Sequence, residues 1–190
     1  MKNLVVPLLL LILSSCGVRH RFPGTASALK DTSIVYALPY PKGVAHFVIQ
    51  GYKSRFSHKG RLNIDFLMKK GSDVTAARGG VVVKVEERYT EGGINKKYFR
   101  FANQVIVRHS DGSLAMYAHL QKNGALAAVG DTVKQGQLIA KSGSTGYSAL
   151  PHLHFAVWLP SGGRRAELPT RFHTGRGIKY LRPGRWYRAQ

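Results

Sequence analysis

The sequence is short of four things, and each shortage closes off an option. One cysteine in 190 residues rules out an intramolecular disulfide, so the fold must be held by its core or by a bound metal. Acidic side chains are scarce: 9 Asp and Glu against 29 Lys and Arg give a net charge of +20, which suits anionic surroundings such as phospholipid headgroups, nucleic acid or an acidic polymer. The basic residues come without a helix-turn-helix, an RNA-binding aromatic signature or zinc-finger spacing, so no nucleic-acid partner is expected. No apolar run reaches the length that spans a bilayer. After the first apolar stretch, no ten-residue helical period competes with short, alternating strand patterns.

What is present begins with Lys2 and Asn3, a ten-residue apolar run from Leu4 to Leu13, and then Leu13-Ser14-Ser15-Cys16. This is the layout of a secretory signal. Leu-Ser-Ser-Cys resembles the lipobox of bacterial lipoproteins, which implies a signal peptide over 1–15, lipidation of Cys16, a membrane anchored through that lipid, and residence in the cell envelope. In a Gram-negative cell, Gly17 fits outer-membrane sorting. A plain secretory signal with an incidental cysteine is the alternative. Residues 16–42 read as a polar, basic tether with one packed segment, an apolar patch at Ile34 to Leu38. Strands are expected at Val44 to Gln50, Leu62 to Met68, Val81 to Glu87, Gln104 to His109, Leu114 to Leu120, Gln137 to Lys141 and Leu153 to Leu159, separated by Gly, Asp-Gly and Pro turns. The expected fold is all-β, a compact antiparallel sheet or barrel-like sandwich over 43–172. A basic, aromatic tail follows at 173–190, expected as a partly ordered edge of the domain that supports envelope binding.

Three stretches carry candidate chemistry. In Pro151-His152-Leu153-His154-Phe155 the two histidines leave one face of a strand, as two metal ligands or as one ligand and a general base. His58 sits in a Gly/Ser loop, and Asp65 interrupts an apolar strand, where it needs a cation, a metal or an outward face. In Met116-Tyr117-Ala118-His119-Leu120, alternation places Tyr117 and His119 together. His20, His46, His109 and His173 lack ligand-spaced partners, and Gly143-Ser144-Thr145-Gly146 reads as a tight loop rather than a phosphate cradle.

These stretches, with Val129 to Ala140 and Gly143 to Ser148, resemble the lysostaphin-like zinc metallopeptidases of bacterial cell walls. The resemblance covers about Val44 to Pro160. It implies Zn2+ held by His58, Asp65 and His154, catalytic roles for His119 and His152, and help to the transition state from Tyr52. It further implies hydrolysis of peptidoglycan stem or bridge peptides, with a DD-endopeptidase the favoured type; a monomer is expected. One departure stands out: six residues separate His58 from Asp65, where the best-known family pattern has three. Two imidazoles and a carboxylate leave zinc a fourth position for water. With no His-Glu-x-x-His and no glutamate in a matching stretch, His152 is the expected base, with His119 orienting it or holding an oxyanion. The rival reading is a non-catalytic wall-binding or amidase-activating module. A cationic envelope scaffold with incidental histidines is a weaker one.

Overall fold

Strands form where β-branched and aromatic residues alternate with polar ones, and one face of each is then drawn into a shared core. The computed structural model describes residues 34–190; the expected signal peptide, the Cys16 lipidation site, His20 and most of the tether lie outside the described residues. Among the described residues the strands run in the order β1 (Val35–Tyr36), β2 (Ala45–Gln50), β3 (Asn63–Leu67), β4 (Asp73–Thr75), β5 (Gly80–Glu86), β6 (Gly92–Gly93), β7 (Gln104–Arg108), β8 (Leu114–Ala118) and β9 (Leu120–Ala125). They continue as β10 (Thr132–Val133), β11 (Leu138–Ser142), β12 (Gly146–Tyr147), β13 (His152–Ser161), β14 (Arg164–Glu167), β15 (Arg171–Thr174), β16 (Gly177–Lys179) and β17 (Arg185–Arg188). One short 3-10 helix, Lys96–Phe101, interrupts them. The fold is all-β, as the alternation predicts.

The main sheet is antiparallel, in the order β10-β5-β7-β8-β13-β3-β2-β17, with β14 paired to β13. Its longest strand, β13, lies between β8 and β3, so the His-x-His pair sits mid-sheet with a neighbour on either side. One face of the sheet is apolar. Val48, Ile64, Phe66, Tyr117, Leu153 and Phe155 are all essentially inaccessible there, and burying side chains of this size contributes about 1.5–3 kcal/mol each.

The segments that flank 43–172 contribute strands and core residues of their own. Tyr36, Leu38 and Tyr40 are core residues, and β1 runs parallel to β15. The apolar patch at Ile34 to Leu38 is therefore the packed segment of the expected tether. The basic, aromatic stretch 173–190 contributes β16 and β17, and β17 pairs with β2 from Arg185↔Val48 to Arg188↔Ala45. Tyr187 packs on the core and accepts at its carbonyl from the Tyr40 hydroxyl at 2.8 Å.

The expected strand from Leu114 to Leu120 is broken. His119 has φ +64°, a left-handed conformation that side chains other than glycine seldom adopt. It divides β8 from β9 and separates Tyr117 and His119, which alternation had placed on one face. Tyr117 stays in the core opposite Phe155 and accepts from the Ala77 amide at 2.8 Å.

Candidate active site

Across β13, β3 and β2 the register places His154 opposite Asp65, and Asp65 opposite Gln50. Partners directly opposite in an antiparallel ladder share a face, so this row stands on the side of the sheet away from the core. Asp65 is buried. Its Oδ1 lies 2.8 Å from His154 Nδ1, and its Oδ2 lies 2.9 Å from Gln50 Nε2 and 3.1 Å from His58 Nε2. Burial alone would raise the Asp65 carboxyl pKa. The adjacent His154 and His58 imidazoles outweigh it and hold the group well below the usual carboxylate range.

The loop before β3 brings His58 to this row. The six residues between His58 and Asp65 are absorbed by a turn, in which the Arg61 amide donates to the His58 carbonyl at 2.8 Å and Gly60 takes φ +73°. Glu167 on β14 then pins the far side of the turn, accepting from the Leu62 amide at 2.5 Å and pairing with Arg61 at 3.0 Å. The longer spacing thus reaches the same meeting point.

Three imidazoles are oriented in one way. A carbonyl can only accept, so His58 Nδ1 donates to Gly51 at 3.1 Å, His119 Nδ1 to Thr145 at 2.7 Å and His152 Nδ1 to Leu150 at 2.8 Å. The Nε2 of each therefore carries the lone pair. His58 Nε2 is buried and has no hydrogen-bond partner, because the nearby Asp65 oxygen lies off the donor direction. An unsatisfied buried nitrogen is costly unless something else binds it. His58, Asp65 and His154 offer ligand atoms all within 4.8 Å of one another, as do His119, His152 and His154. Two imidazoles and a carboxylate suit a borderline cation such as zinc, and the orphaned His58 nitrogen favours the set that contains Asp65.

His119 and His152 form the second layer of the site, their ring centroids 4.5 Å apart. Burial, then the neighbouring imidazoles His152 and His154, lower the His119 pKa to about 3. Burial also lowers that of His152. Both rings are neutral at pH 7, with Nδ1–H given to a carbonyl and Nε2 left as the acceptor. The seat of His119 is a buried polar knot: Thr145 Oγ1 donates to the Leu120 carbonyl at 2.7 Å and accepts from the Asn103 amide at 3.0 Å. Gly146 next to it has φ +78° and lies so close to Ala102 that an added Cβ would meet its Cα at 2.8 Å.

Tyr52 departs from expectation. Its hydroxyl donates to the Thr170 carbonyl at 3.0 Å and accepts from the Thr170 amide at 2.6 Å. Its only donor is spent on that backbone, so the expected transition-state role is replaced by a structural one that ties the loop before His58 to the start of β15. Gln50, Thr145 and Glu167 were missed. Gln50 holds Asp65 and also accepts from Ser54 Oγ at 3.1 Å and the Ser57 amide at 3.3 Å, joining the carboxylate to the His58 loop. His46 and His109 donate to the Leu67 and Gly79 carbonyls, and neither belongs to the ligand groups.

Residues 57–166 match the model of peptidase family M23. The chain belongs to that family. This M23 chain is 37% identical to lysostaphin of Staphylococcus simulans over 118 residues, 62% of the chain and 19% of lysostaphin. It is 35% identical to the peptidoglycan DD-endopeptidase ShyC of Vibrio cholerae over 116 residues, 60% of the chain and 23% of that protein. The crystal structure of a zinc-containing peptidase from Vibrio cholerae matches 70% of the M23 chain and 39% of its own, at 26% identity and a TM-score of 0.50. The chain spans about a fifth to a quarter of the length of the two curated relatives.

Proposed function

We propose that the chain is a zinc-dependent endopeptidase that hydrolyses peptide cross-links of peptidoglycan. The observation that carries this reading is the convergence of His58 Nε2, Asp65 and His154 Nδ1 beside two neutral imidazoles. Zinc bound there supplies Lewis acidity, which polarises a carbonyl and lowers the pKa of water toward about 7. Gln50 and the Gly51 carbonyl keep Asp65 and His58 in place, as outer partners of a ligand set do. His152 takes the proton of the attacking water at Nε2 and returns it to the leaving amine. His119 accepts the second hydrogen of that water and aims it at the carbonyl. This replaces the oxyanion-holding role expected for His119, which a neutral ring with an occupied Nδ1–H does not support.

Similarity to the peptidoglycan DD-endopeptidase ShyC supports a peptidoglycan cross-link as the substrate, and a D-alanyl bond of the stem is the bond we assign. We also propose that Cys16 is lipidated and holds the enzyme at the envelope; the support is the sequence Leu13-Ser14-Ser15-Cys16. The test is incubation of the full chain with cross-linked muropeptide dimers, with zinc and with chelator, and product masses as the readout. Zinc-dependent conversion of dimer to monomer is expected. Wall binding without hydrolysis at any zinc concentration would instead mark a non-catalytic module.

A further inference from the structure

Beside the row that holds Asp65 runs a second one. His152 is opposite Leu67, Leu67 is opposite Phe47, and Phe47 is opposite Trp186. The four side chains therefore form a line on one face, across β13, β3, β2 and β17. Val48 and Phe66, their chain neighbours, point into the core, so the line faces solvent on the side of the reacting histidines. His152 is 7% exposed, Leu67 38% and Trp186 66%, and Phe47 between the last two is half-buried. The Phe47 and Trp186 rings are 5.6 Å apart and tilted by 59°. Neither Phe47 nor Trp186 lies within residues 57–166, so the outer half of the line is built by the flanks of the matched region.

Three strand spacings separate His152 from Trp186, roughly 14 Å at about 4.8 Å each. An extended peptide covers that distance in about four residues. A peptidoglycan stem has four residues between its sugar and the D-alanyl bond of a cross-link, so a stem reacting beside His152 carries its sugar to the indole. We infer that this line is the floor on which the stem lies, and that Trp186 stacks on the amino-sugar ring that bears it. The inference rests on the peptidoglycan reading above. The apolar C–H face of a pyranose covers the indole while its hydroxyls stay in water, and Leu67 and Phe47 meet the alkyl parts of the stem. A lipid surface also attracts exposed tryptophan, but the unbroken run of the line into His152 favours the substrate.

The test compares two cross-linked peptide dimers that differ only in a disaccharide on each stem. The zinc-loaded full chain is expected to cleave the disaccharide form with a kcat/KM about tenfold higher, and Trp186→Ala to lose that preference, with part of it kept by Trp186→Phe. An equal preference in wild type and Trp186→Ala overturns the inference. Binding is read separately with the uncross-linked disaccharide tetrapeptide, which offers no cross-link to cut. Trp158 is buried and Trp186 exposed, so quenching of emission that disappears in Trp186→Phe is expected. No quenching overturns the inference whatever the turnover, whereas quenching without cleavage of either dimer counts against the endopeptidase reading alone. A blue shift on anionic phospholipid vesicles with no response to the tetrapeptide assigns the face to lipid and also overturns it.

Discussion

His58 and His152 both spend Nδ1–H on a backbone carbonyl, yet the two rings answer to different tests. His58 Nε2 is a buried atom without a partner, so His58→Ala and His154→Ala are expected to lose bound zinc and activity together. His152→Ala is expected to keep the metal, by elemental analysis, and lose most turnover, since positioned proton transfer contributes about 10²–10⁴-fold. Retained cleavage in His152→Ala would move the base to His119. Gln50→Leu removes the outer hydrogen bond to Asp65 Oδ2, and zinc affinity by competition titration should fall about 10–100-fold. His152 and His154 stood out by their spacing and Asp65 as an acid in an apolar strand, whereas His58 and His119 were legible only through the family resemblance. Gln50 was not, because a glutamine at a strand end has no such signature, and Tyr52 misled because the sequence does not reveal that Thr170 folds against its hydroxyl.

At the scale of the element, the strands were readable and their irregularities were not. Regular alternation would bury Gln50 on the side of Val48; a register shift between these residues turns it to Asp65 instead. In the same way, regular alternation would bury His119 with Tyr117, and the left-handed backbone turns it out. Two local faults thus carry two residues of the site, and period-two patterns contain neither. The insertion before Asp65 is a turn held by Glu167, so Glu167→Ala is expected to loosen the His58 loop. Zinc affinity should drop while the melting temperature changes little, because Arg61 of the Arg61–Glu167 pair is mostly exposed. Gly146→Val should be more severe: the left-handed φ and the approach to Ala102 both oppose a side chain, and displacement of Thr145 would free His119 and depress kcat.

For the whole molecule, stability must come from the sheet core and from metal, since a single cysteine closes no loop. Phe155→Ala, at a fully buried position between Tyr117 and Phe172, should cost about 3–5 kcal/mol in chemical denaturation. Acid should also destabilise the fold at Asp111. Burial alone would raise the Asp111 carboxyl pKa, but hydrogen bonds from Ser113 and Arg78 hold it at about 2. A carboxylate lowered in the folded state contributes stability above its ordinary value and loses it as pH falls from about 4 to about 2. Asp111→Asn should flatten that limb of the stability curve measured between pH 6 and pH 2. The all-β architecture was legible as a whole; the pairing of β1 and β17 was not, because β1 is only two residues long and β17 alternates arginine with aromatics, and neither announces itself before its partner, β15 or β2, is known.

The fixed tautomers of His58, His119 and His152 have a spectroscopic corollary. Protons shared with carbonyls at 2.7–3.1 Å in a secluded pocket exchange slowly with bulk solvent and resonate far downfield. Three such imidazole signals, recorded before any ion or wall fragment is added, would report whether a given preparation has its reacting groups correctly aligned.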